Sequence, residues 1–418
     1  MELEKEKHSS FGFIGGLLTG VAATSLVVVV GYGIGMTVGE SNQQASGTQY
    51  QNIVDVEVDA DSIINKEFLQ KVATLEALIE TNYYLDEVGE EDLREGAYEG
   101  IVNALGDIYS VYYTAEEAEE VFNQSEGIYY GIGAYCQMDT ITGYVKITGT
   151  IKGTPAEEVG MQAGDIIYMV EGEDMAGLDI DQVILRIKGE EGTKVHLTLV
   201  RDNEYVEVDV ERRKIESPTV EYSMLEDRIG YVQLMEFDDV TVEQFKKALG
   251  ALKSENARGM ILDLRGNPGG NLSTVLEVAD MLLDKGMILY IEDKSGRHEE
   301  YYATNGTEWD KPIVLLVDGN SASASEVLSG ALKDHGRATL VGTTTFGKGI
   351  VQNIRTLKDG SALKLTISAY YTPNGVNVHG TGIEPDVVVE FDAEAYYGED
   401  QFDNQLDKAK EVIGEMLK

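Results

Sequence analysis

Cysteine, histidine and basic residues are all scarce in this sequence of 418 residues. The single cysteine, Cys136, excludes an internal disulfide framework. The five histidines are dispersed and form no cluster with cysteine, so we predict neither a structural nor a catalytic metal, and no cofactor. Lysine and arginine total 33 against 74 acidic residues, which gives a formal net charge of −41. That charge argues against nucleic acid as a partner and favours solubility outside a membrane.

One long segment lacks charge altogether, since residues 11–39 contain no Asp, Glu, Lys or Arg. The segment exceeds the roughly 20 apolar residues that span a bilayer as a helix, so we predict a single transmembrane anchor there. Lys5 and Lys7 precede the segment, and the next basic residue is Lys66. This bias predicts a cytoplasmic tail over 1–10 and places the rest of the chain outside the cytoplasm, in a bacterial-type cell membrane.

A cleaved signal peptide is the alternative interpretation of the same segment. Its apolar stretch is longer than a signal-peptide core of about 7 to 15 residues, and no clear A-x-A cleavage site follows. We therefore predict that the anchor is retained. A polar linker is predicted over 40–60.

A serine and a lysine 25 positions apart carry the strongest chemical signal. Ser323 lies in the run Ser-Ala-Ser-Ala-Ser-Glu at 321–326, and Lys348 in Thr-Phe-Gly-Lys-Gly at 345–349. A serine hydroxyl is a poor nucleophile at neutral pH, and lysine can take its proton only where desolvation keeps the amine neutral. The pattern is typical of a nucleophile and its general base.

The serine run also has the form of a helix capping box, from Ser323 to Glu326. The two interpretations are compatible, because the run follows a predicted apolar strand at 313–317. A serine at the start of a helix lies where backbone N–H groups and the helix dipole stabilise an oxyanion. The residues alone do not choose among Ser321, Ser323 and Ser325.

The lysine loop has a rival interpretation as a phosphate-binding loop. Residues 342–348 match the first seven positions of the G-x-x-x-x-G-K-[ST] pattern. Gly349 replaces the Ser or Thr that would hold magnesium, and 350–354 and 362–371 are predicted strands, whereas a phosphate cradle needs a helix. We therefore predict no nucleotide binding.

Several separated segments together resemble the carboxyl-terminal processing peptidases, the tail-specific serine–lysine proteases. They are 262–270 (LDLRGNPGG), 321–326, 345–349 with Val351 and Gln352, 363–366 (LKLT) and 380–386 (GTGIEPD). The resemblance implies that Ser323 is the nucleophile, Lys348 the general base and Gln352 a polar partner that positions the lysine. It also implies an oxyanion hole made by the backbone N–H of Ala324 and one N–H from the Gly269–Gly270 turn.

A second resemblance concerns substrate choice. Residues 129–135 (YYGIGAY) resemble the carboxylate-binding loop of a PDZ domain, in which the N–H groups of Gly131, Ile132 and Gly133 would bind a peptide's terminal carboxylate. The segments 153–160, 163–167 and 188–193 recur in PDZ domains in this order. The resemblance implies recruitment of protein or peptide substrates through accessible carboxyl-terminal tails.

The predicted fold is an α/β protease core over 213–395, because apolar strands alternate there with helical stretches. A PDZ-like, β-rich domain over 124–212 precedes the core, after an amino-terminal helical region over 61–123. A carboxyl-terminal helix is predicted over 396–418. Dimer contacts of the helical region in relatives imply a homodimer, and packing of this region against the core is the alternative.

The predicted function is that of a membrane-anchored, extracytoplasmic serine endopeptidase. A PDZ-based binding protein with an inactive core is the alternative. The joint presence of Ser323, Lys348 and Gln352 favours the enzyme, because an inactive scaffold would be free to lose any of them. The predicted partners are substrate tails and, through 11–39, the membrane.

Overall fold

The computed structural model describes four stretches of the chain, namely 63–85, 88–139, 142–398 and 401–418. The predicted cytoplasmic tail, transmembrane anchor and linker, at 1–10, 11–39 and 40–60, lie outside these stretches. Within them, no helix combines the length and apolar composition needed to cross a membrane. Two compact units are present, Asn123–Thr219 and the described residues on either side of it.

The amino-terminal part of the described chain is mainly helical. Its elements are α1 Lys66–Asn82, α2 Glu90–Asn103, β1 Val111–Tyr113 and α3 Ala115–Glu126. The side chain of Asn65 caps α1 by accepting a hydrogen bond from the N–H of Phe68 at 3.0 Å. Neither α1 nor α2 contains a buried residue, so the apolar side chains of Leu69 and Leu75 are exposed.

The unit Asn123–Thr219 is built mainly of antiparallel strands. Its elements are β2 Ile128–Gly131, β3 Ala134–Met138, β4 Val145–Thr150, α4 Pro155–Glu158, β5 Ile166–Val170, β6 Glu173–Asp174, α5 Ile180–Ile187, β7 Lys194–Arg201, β8 Glu204–Glu211 and β9 Arg213–Glu216. The main sheet has the order β3–β4–β5–β7–β8, with β6 paired to β5. Alternate residues Val145 and Ile147 of β4 pack with Val183 of α5 in one core.

The limits of this unit differ from the predicted 124–212. Strand β9 pairs with β2, with Ile128 opposite Glu216 and Gly131 opposite Arg213. Because this pairing holds the strand after residue 212 against the start of the unit, the unit extends to Thr219.

The remaining elements form the larger core. They are β10 Val220–Met224, a 3-10 turn Glu226–Arg228, β11 Ile229–Leu234, α6 Thr241–Ser254, β12 Gly259–Asp263, α7 Leu272–Leu282, β13 Gly286–Asp293, β14 His298–Ala303, β15 Ile313–Val317, α8 Ala324–Asp334, β16 Ala338–Gly342, β17 Ile350–Thr356, β18 Ala362–Tyr371, β19 Val387–Val388, α9 Ala393–Tyr397 and α10 Asn404–Met416. This α/β core and the β-rich unit agree with the predicted fold class.

The main sheet of the core has the order β10–β11–β12–β15–β16–β19 and is parallel from β11 to β19. Every residue of β15 is buried. Ile313 and Leu315 pack in the cluster that includes α6, α7 and α8, whereas Val314 and Leu316 pack with Ile413 of α10. The continuous apolar run therefore reflects helices on both faces of the sheet.

A smaller sheet has the order β1–β18–β13–β14, and β17 also pairs with β18. In the β17–β18 hairpin, Gln352 lies opposite Thr366. On the other side of β18, Val111 of β1 lies opposite Lys364. Strand β18 therefore joins the amino-terminal segment to the hairpin that follows the lysine loop.

Candidate active site

Ser323 lies in the tight turn between β15 and α8, with φ of 57° and ψ of −112°. Positive φ at a residue other than glycine costs about 1–3 kcal/mol, and such a corner between strand and helix is typical of nucleophilic serines. The residue is fully buried, and its Oγ has no hydrogen-bond partner among the described residues. Its N–H donates to the Glu326 carboxylate at 2.9 Å. The hydroxyl is therefore not used as a helix cap, although the sequence has that form.

The two competing serines use their hydroxyls to hold the turn together. Ser321 Oγ donates to the carbonyl of Leu264 at 2.8 Å. Ser325 Oγ donates to the carbonyl of Asn267 at 3.0 Å. Of the three serines in the run, Ser323 is the one whose hydroxyl is not committed to a structural hydrogen bond.

The glycine turn that follows β12 packs directly against Ser323. Gly269 has φ of 111°, and a Cβ on it would lie 2.8 Å from Ser323 Cβ, so only glycine fits. Asn267 fixes the turn, because its Nδ2 donates to the carbonyl of Leu234 at 2.7 Å and its carbonyl accepts from the N–H of Ala322 at 3.0 Å. The two segments that follow β12 and β15 are thus bound to each other.

The predicted oxyanion donors lie at this junction. The same Cβ position on Gly269 is 3.0 Å from the backbone nitrogen of Ala324, at the start of α8. The N–H of Gly269 donates to Asn267 Oδ1 at 2.8 Å. Gly270 lies beside Phe237 in a parallel bridge that does not use the N–H of Gly270. Ala324 and Gly270 are therefore the better placed pair of donors.

Glu326 connects the serine turn to the lysine loop. Its Oε2 accepts hydrogen bonds from the N–H of Ser323 at 2.9 Å and of Lys348 at 2.8 Å. Its Oε1 accepts from Thr345 Oγ1 at 2.6 Å and from the N–H of Gly347 at 2.7 Å. Burial raises the pKa of this carboxyl although the four hydrogen bonds favour the charged form. The sequence indicated Glu326 only as a capping residue.

A second segment holds the lysine loop from the opposite side. The N–H of Gly380 donates to the carbonyl of Gly347 at 2.8 Å. The N–H of Ile383 donates to Thr345 Oγ1 at 2.7 Å, and the carbonyl of Ile383 accepts from the N–H of Thr345 at 3.2 Å. These contacts give the segment 380–386, noted in the sequence, a structural purpose.

Lys348 is fully buried, and its Nζ lies over the ring of Tyr109, 4.6 Å from the ring centroid. Burial lowers the pKa of this amine to about 7, and the positive charge of Lys364 acts in the same direction. The carboxylates of Asp107 and Glu326 act in the opposite direction. At neutral pH a substantial fraction of the amine is uncharged, as a general base requires.

The side chains of Ser323 and Lys348, the predicted nucleophile and general base, are not hydrogen-bonded to each other, since Ser323 Oγ has no partner in the described chain. Gln352 is fully buried on β17 and donates through Nε2 to Thr366 Oγ1 at 3.1 Å. Its Oε1, like Ser323 Oγ, has no partner among the described residues. Two of the three predicted catalytic side chains thus keep an uncommitted buried oxygen.

A chain of polar contacts extends from Gln352 to the amino-terminal segment. The N–H of Thr366 donates to Ser110 Oγ at 3.0 Å, and Ser110 Oγ donates to Asp107 Oδ2 at 2.6 Å. Lys364, two residues before Thr366 on β18, is only 3% exposed. Lys364 lies in the segment 363–366 noted in the sequence, but the sequence assigned it no role. The pairing of β1 with β18 brings the amino-terminal segment that contains Asp107 to the same strand.

The loop after Lys348 leads into β17, a strand. A phosphate-binding loop of the G-x-x-x-x-G-K-[ST] kind needs a helix at that point, because the helix N-terminus holds the phosphate. The secondary structure therefore excludes a phosphate-binding loop of this kind at 342–348.

The predicted carboxylate-binding residues lie at the end of β2 and before β3. Gly131, Ile132 and Gly133 are buried. The carbonyl of Gly133 accepts from Thr154 Oγ1 at 3.0 Å, and that of Ile132 accepts from the N–H of Ala156 at 2.8 Å. These contacts hold the loop in place beside β3, which is an edge strand of its sheet and the element to which a peptide strand can add.

Three successive parts of the chain match known protein families. Residues 228–389 match peptidase family S41, residues 146–201 match a PDZ domain, and residues 27–117 match the activating protease CtpB N-terminal domain. The larger core therefore matches a peptidase family, and the β-rich unit matches a PDZ domain.

Curated relatives point the same way. The chain is 36% identical over 331 residues to a probable CtpA-like serine protease of Staphylococcus haemolyticus. The matched region covers 78% of this chain and 66% of that protein. It is also 35% identical over 325 residues to a probable CtpA-like serine protease of Staphylococcus aureus. That matched region covers 77% of this chain and 65% of the relative. The chain thus spans slightly less than two thirds of the length of these relatives.

A solved structure of a putative S41 protease from Bacteroides fragilis shares the fold, with a TM-score of 0.51 and 15% identity, over 82% of this chain and 97% of that one. Residues 228–389 of the chain belong to peptidase family S41. The resemblance to carboxyl-terminal processing peptidases is confirmed.

Proposed function

We propose that the chain is a membrane-anchored, extracytoplasmic endopeptidase that uses Ser323 as its nucleophile and Lys348 as its general base. One observation carries the proposal: Ser323 is the serine of its run with a buried, uncommitted hydroxyl, in a strained turn at a helix start. The buried amine of Lys348, with its pKa lowered to about 7, supports the second role.

The reaction is acyl transfer. Ser323 Oγ attacks the substrate carbonyl carbon while its proton passes to the neutral Nζ of Lys348. The oxyanion accepts hydrogen bonds from the backbone N–H groups of Ala324 and Gly270. When the C–N bond breaks, Lys348 gives its proton to the leaving amine and an acyl-enzyme remains. Water then attacks the ester with Lys348 again as base, which releases the new carboxyl terminus and restores the serine.

Assembly of the dyad requires a movement of the lysine side chain. Nζ must leave the ring of Tyr109 and come within hydrogen-bond reach of Ser323 Oγ. There the neutral amine can accept a hydrogen bond from the Ser323 hydroxyl and donate one to Gln352 Oε1. Both oxygens are buried and uncommitted, which supports this rearrangement. Catalytic hydrogen bonds are often long before substrate binds.

The test is cleavage of an unstructured protein by the full chain in detergent. Ser323→Ala and Lys348→Ala should each abolish cleavage without loss of the folded state by circular dichroism. Ser321→Ala and Ser325→Ala are matched controls in the same run, and they should lower thermal stability but retain cleavage. Full activity of Ser323→Ala, or cleavage lost only in Ser321→Ala, would overturn the assignment of the nucleophile.

Recognition of substrate tails is proposed for the loop Gly131, Ile132 and Gly133. The match to a PDZ domain and the edge position of β3 support it. Fluorescence anisotropy should show binding of a peptide with a free terminal carboxylate and at least about tenfold weaker binding of the same peptide as an amide. Equal binding of the two peptides would argue against carboxylate capture.

Membrane anchoring through 11–39, with the peptidase outside the cytoplasm, is proposed from the uncharged segment and the lysines before it. Cell fractionation should place the intact chain in the membrane, and protease added to intact protoplasts should digest it. A shortened product confined to the soluble fraction would contradict a retained anchor.

A homodimer is proposed through the amino-terminal helices, because α1 contains no buried residue and exposes a series of apolar side chains. They are Phe68, Leu69, Leu75 and Leu78. Light scattering of the detergent-solubilised chain should give twice the mass of one chain, and a monomer would contradict the proposal.

A further inference from the structure

The site contains a second buried lysine that the reaction scheme does not use. Lys364 is 3% exposed, and its Nζ lies 5.3 Å from the centroid of the Tyr113 ring. It lies on β18 opposite Val111 of β1 and two residues before Thr366, the residue that accepts the hydrogen bond from Gln352. Burial of a charged amine is unfavourable because the amine loses its hydration, so the presence of Lys364 in this pocket needs a reason.

Asp107 is a carboxylate that interacts electrostatically with both lysines. It attracts the charge of Lys348 and that of Lys364. Its oxygens accept hydrogen bonds from Ser110 Oγ at 2.6 Å and from the N–H of Tyr109 at 3.0 Å. Burial acts to raise the pKa of this carboxyl, but the hydrogen bonds outweigh burial and the pKa is lowered. Asp107 is therefore ionised at neutral pH and offers one negative charge to two amines.

The groups that face each lysine differ. Lys348 is influenced by Asp107, Glu326 and Lys364 and lies over Tyr109. Glu326 gives its four hydrogen bonds to backbone and hydroxyl donors rather than to the amine. For Lys364, burial and Asp107 dominate, and Tyr113 lies beneath the amine.

We propose that Lys364 is a positioning residue that takes up the positive charge stabilised by Asp107, so that Lys348 is left uncharged. The inference rests on the proposed function, since it concerns the base of that reaction. In this arrangement Lys364 contacts no reacting atom. It acts by repulsion and makes a second positive charge in the pocket unfavourable.

The causes of the two pKa shifts agree with this arrangement. Burial lowers the pKa of Lys364 to about 8, whereas burial and the charge of Lys364 together lower the pKa of Lys348 to about 7. The positive charge of Lys364 therefore favours the neutral form of Lys348.

The pH dependence of kcat/KM for cleavage by the full chain tests the inference. Met is a neutral residue of similar length to Lys. In Lys364→Met, the rise of kcat/KM on the acid side of the pH profile should move to higher pH by roughly one unit, because the charge that repels protonated Lys348 is gone. In Lys364→Arg, which stays charged, the rise should remain where it is in the wild type. Lys358→Met, an exposed lysine in the turn of the same hairpin, is the matched control and should leave the profile unchanged. A purely structural role would lower kcat in both Lys364 variants without moving the rise.

A second measurement does not need activity. The rate at which an acylating reagent labels the amine of Lys348, followed by mass spectrometry as a function of pH, reports its titration midpoint in wild type and in Lys364→Met. An upward shift of the midpoint in Lys364→Met supports the inference, and identical midpoints overturn it even if cleavage is normal. Cleavage that persists in Ser323→Ala counts instead against the proposed function, and the labelling curves still decide the role of Lys364.

Discussion

The side-chain amine of Lys348 lies over the ring of Tyr109, 4.6 Å from the ring centroid, in a fully buried position. The ring gives the amine a contact that does not require an opposite charge within the pocket. The amine can therefore remain buried in either protonation state. Its pKa of about 7 belongs to the folded chain, whereas the unperturbed amine has a pKa of 10.5.

The first prediction concerns pH and activity. Because Lys348 must be neutral to accept the serine proton and its pKa is lowered to about 7, kcat/KM should rise with pH below that value and level off above it. Initial rates with a fixed peptide substrate across the pH range check this. A rate that is constant from about pH 6 to about pH 10 would contradict a lysine base.

The second prediction concerns pH and stability. The pKa of Lys348 is about 7 in the folded chain against 10.5 for the unperturbed amine, so between these values the unfolded state binds more protons and folding gains stability as pH rises. Lys348→Met lacks this gain. Its stability advantage over the wild type should therefore shrink by roughly 1.4 kcal/mol per pH unit above about pH 7.

Chemical denaturation of wild type and Lys348→Met at several pH values measures that difference. Titrations of tyrosines and of other groups common to both proteins cancel in the comparison. Lys358→Met serves as the control, because its lysine is exposed. A difference between wild type and Lys348→Met that does not change with pH would show that the buried amine keeps its ordinary pKa.

The third prediction concerns Glu326. In Glu326→Gln one acceptor oxygen becomes an NH2 group. Placed at Oε1, the NH2 group can donate to the Thr345 hydroxyl but faces the N–H of Gly347, so at least one of the four hydrogen bonds is lost, at a cost of roughly 1–3 kcal/mol. Because the carboxylate sets the distance between Ser323 and Lys348, kcat should fall by about tenfold or more with little change in KM. Glu255→Gln, at an exposed helix end, should change neither quantity. A Glu326→Gln enzyme that loses stability but keeps its kcat would limit Glu326 to a structural role.

The fourth prediction compares two glycines of one turn. Both Gly269 and Gly266 have positive φ, but a Cβ would lie 2.8 Å from Ser323 Cβ at Gly269 and meets nothing within 4 Å at Gly266. Gly266→Ala should cost only the backbone strain of about 1–2 kcal/mol and retain cleavage. Gly269→Ala should also displace the nucleophile and abolish cleavage. Equal activities in the two variants would mean that the turn can yield without moving Ser323.

The sequence was informative wherever chemistry and secondary structure are local. The strands before Gly266 and before Ser321 follow from apolar runs, and the glycines and serines after them follow from motif order. Glu326 shows what was missed. Its capping pattern is visible in the sequence, but its bonds to the lysine loop depend on the segment 380–383 holding that loop in place.

Asp107 and Lys364 show a different reason for a missed role. No spacing in the sequence joins an acidic residue near the amino terminus to a lysine in a late strand. The pairing of Val111 with Lys364 brings the segment that contains Asp107 beside β18, and pairing of distant strands depends on the packed core rather than on local propensity. The state of the dyad is likewise a matter of side-chain rotamers, which residue patterns do not encode.

The pairing of β2 with β9 has a consequence for the evolution and engineering of this chain. It brings the two ends of the unit Asn123–Thr219 side by side, as in modules that can be inserted into a host domain without stretching it. The host keeps its strand β1 from one side of the insertion and the rest of its sheet from the other. Such a unit can be transplanted, or replaced by another recognition module, through two adjacent splice points. The strand pairings and hydrogen bonds within the larger core are then left unchanged.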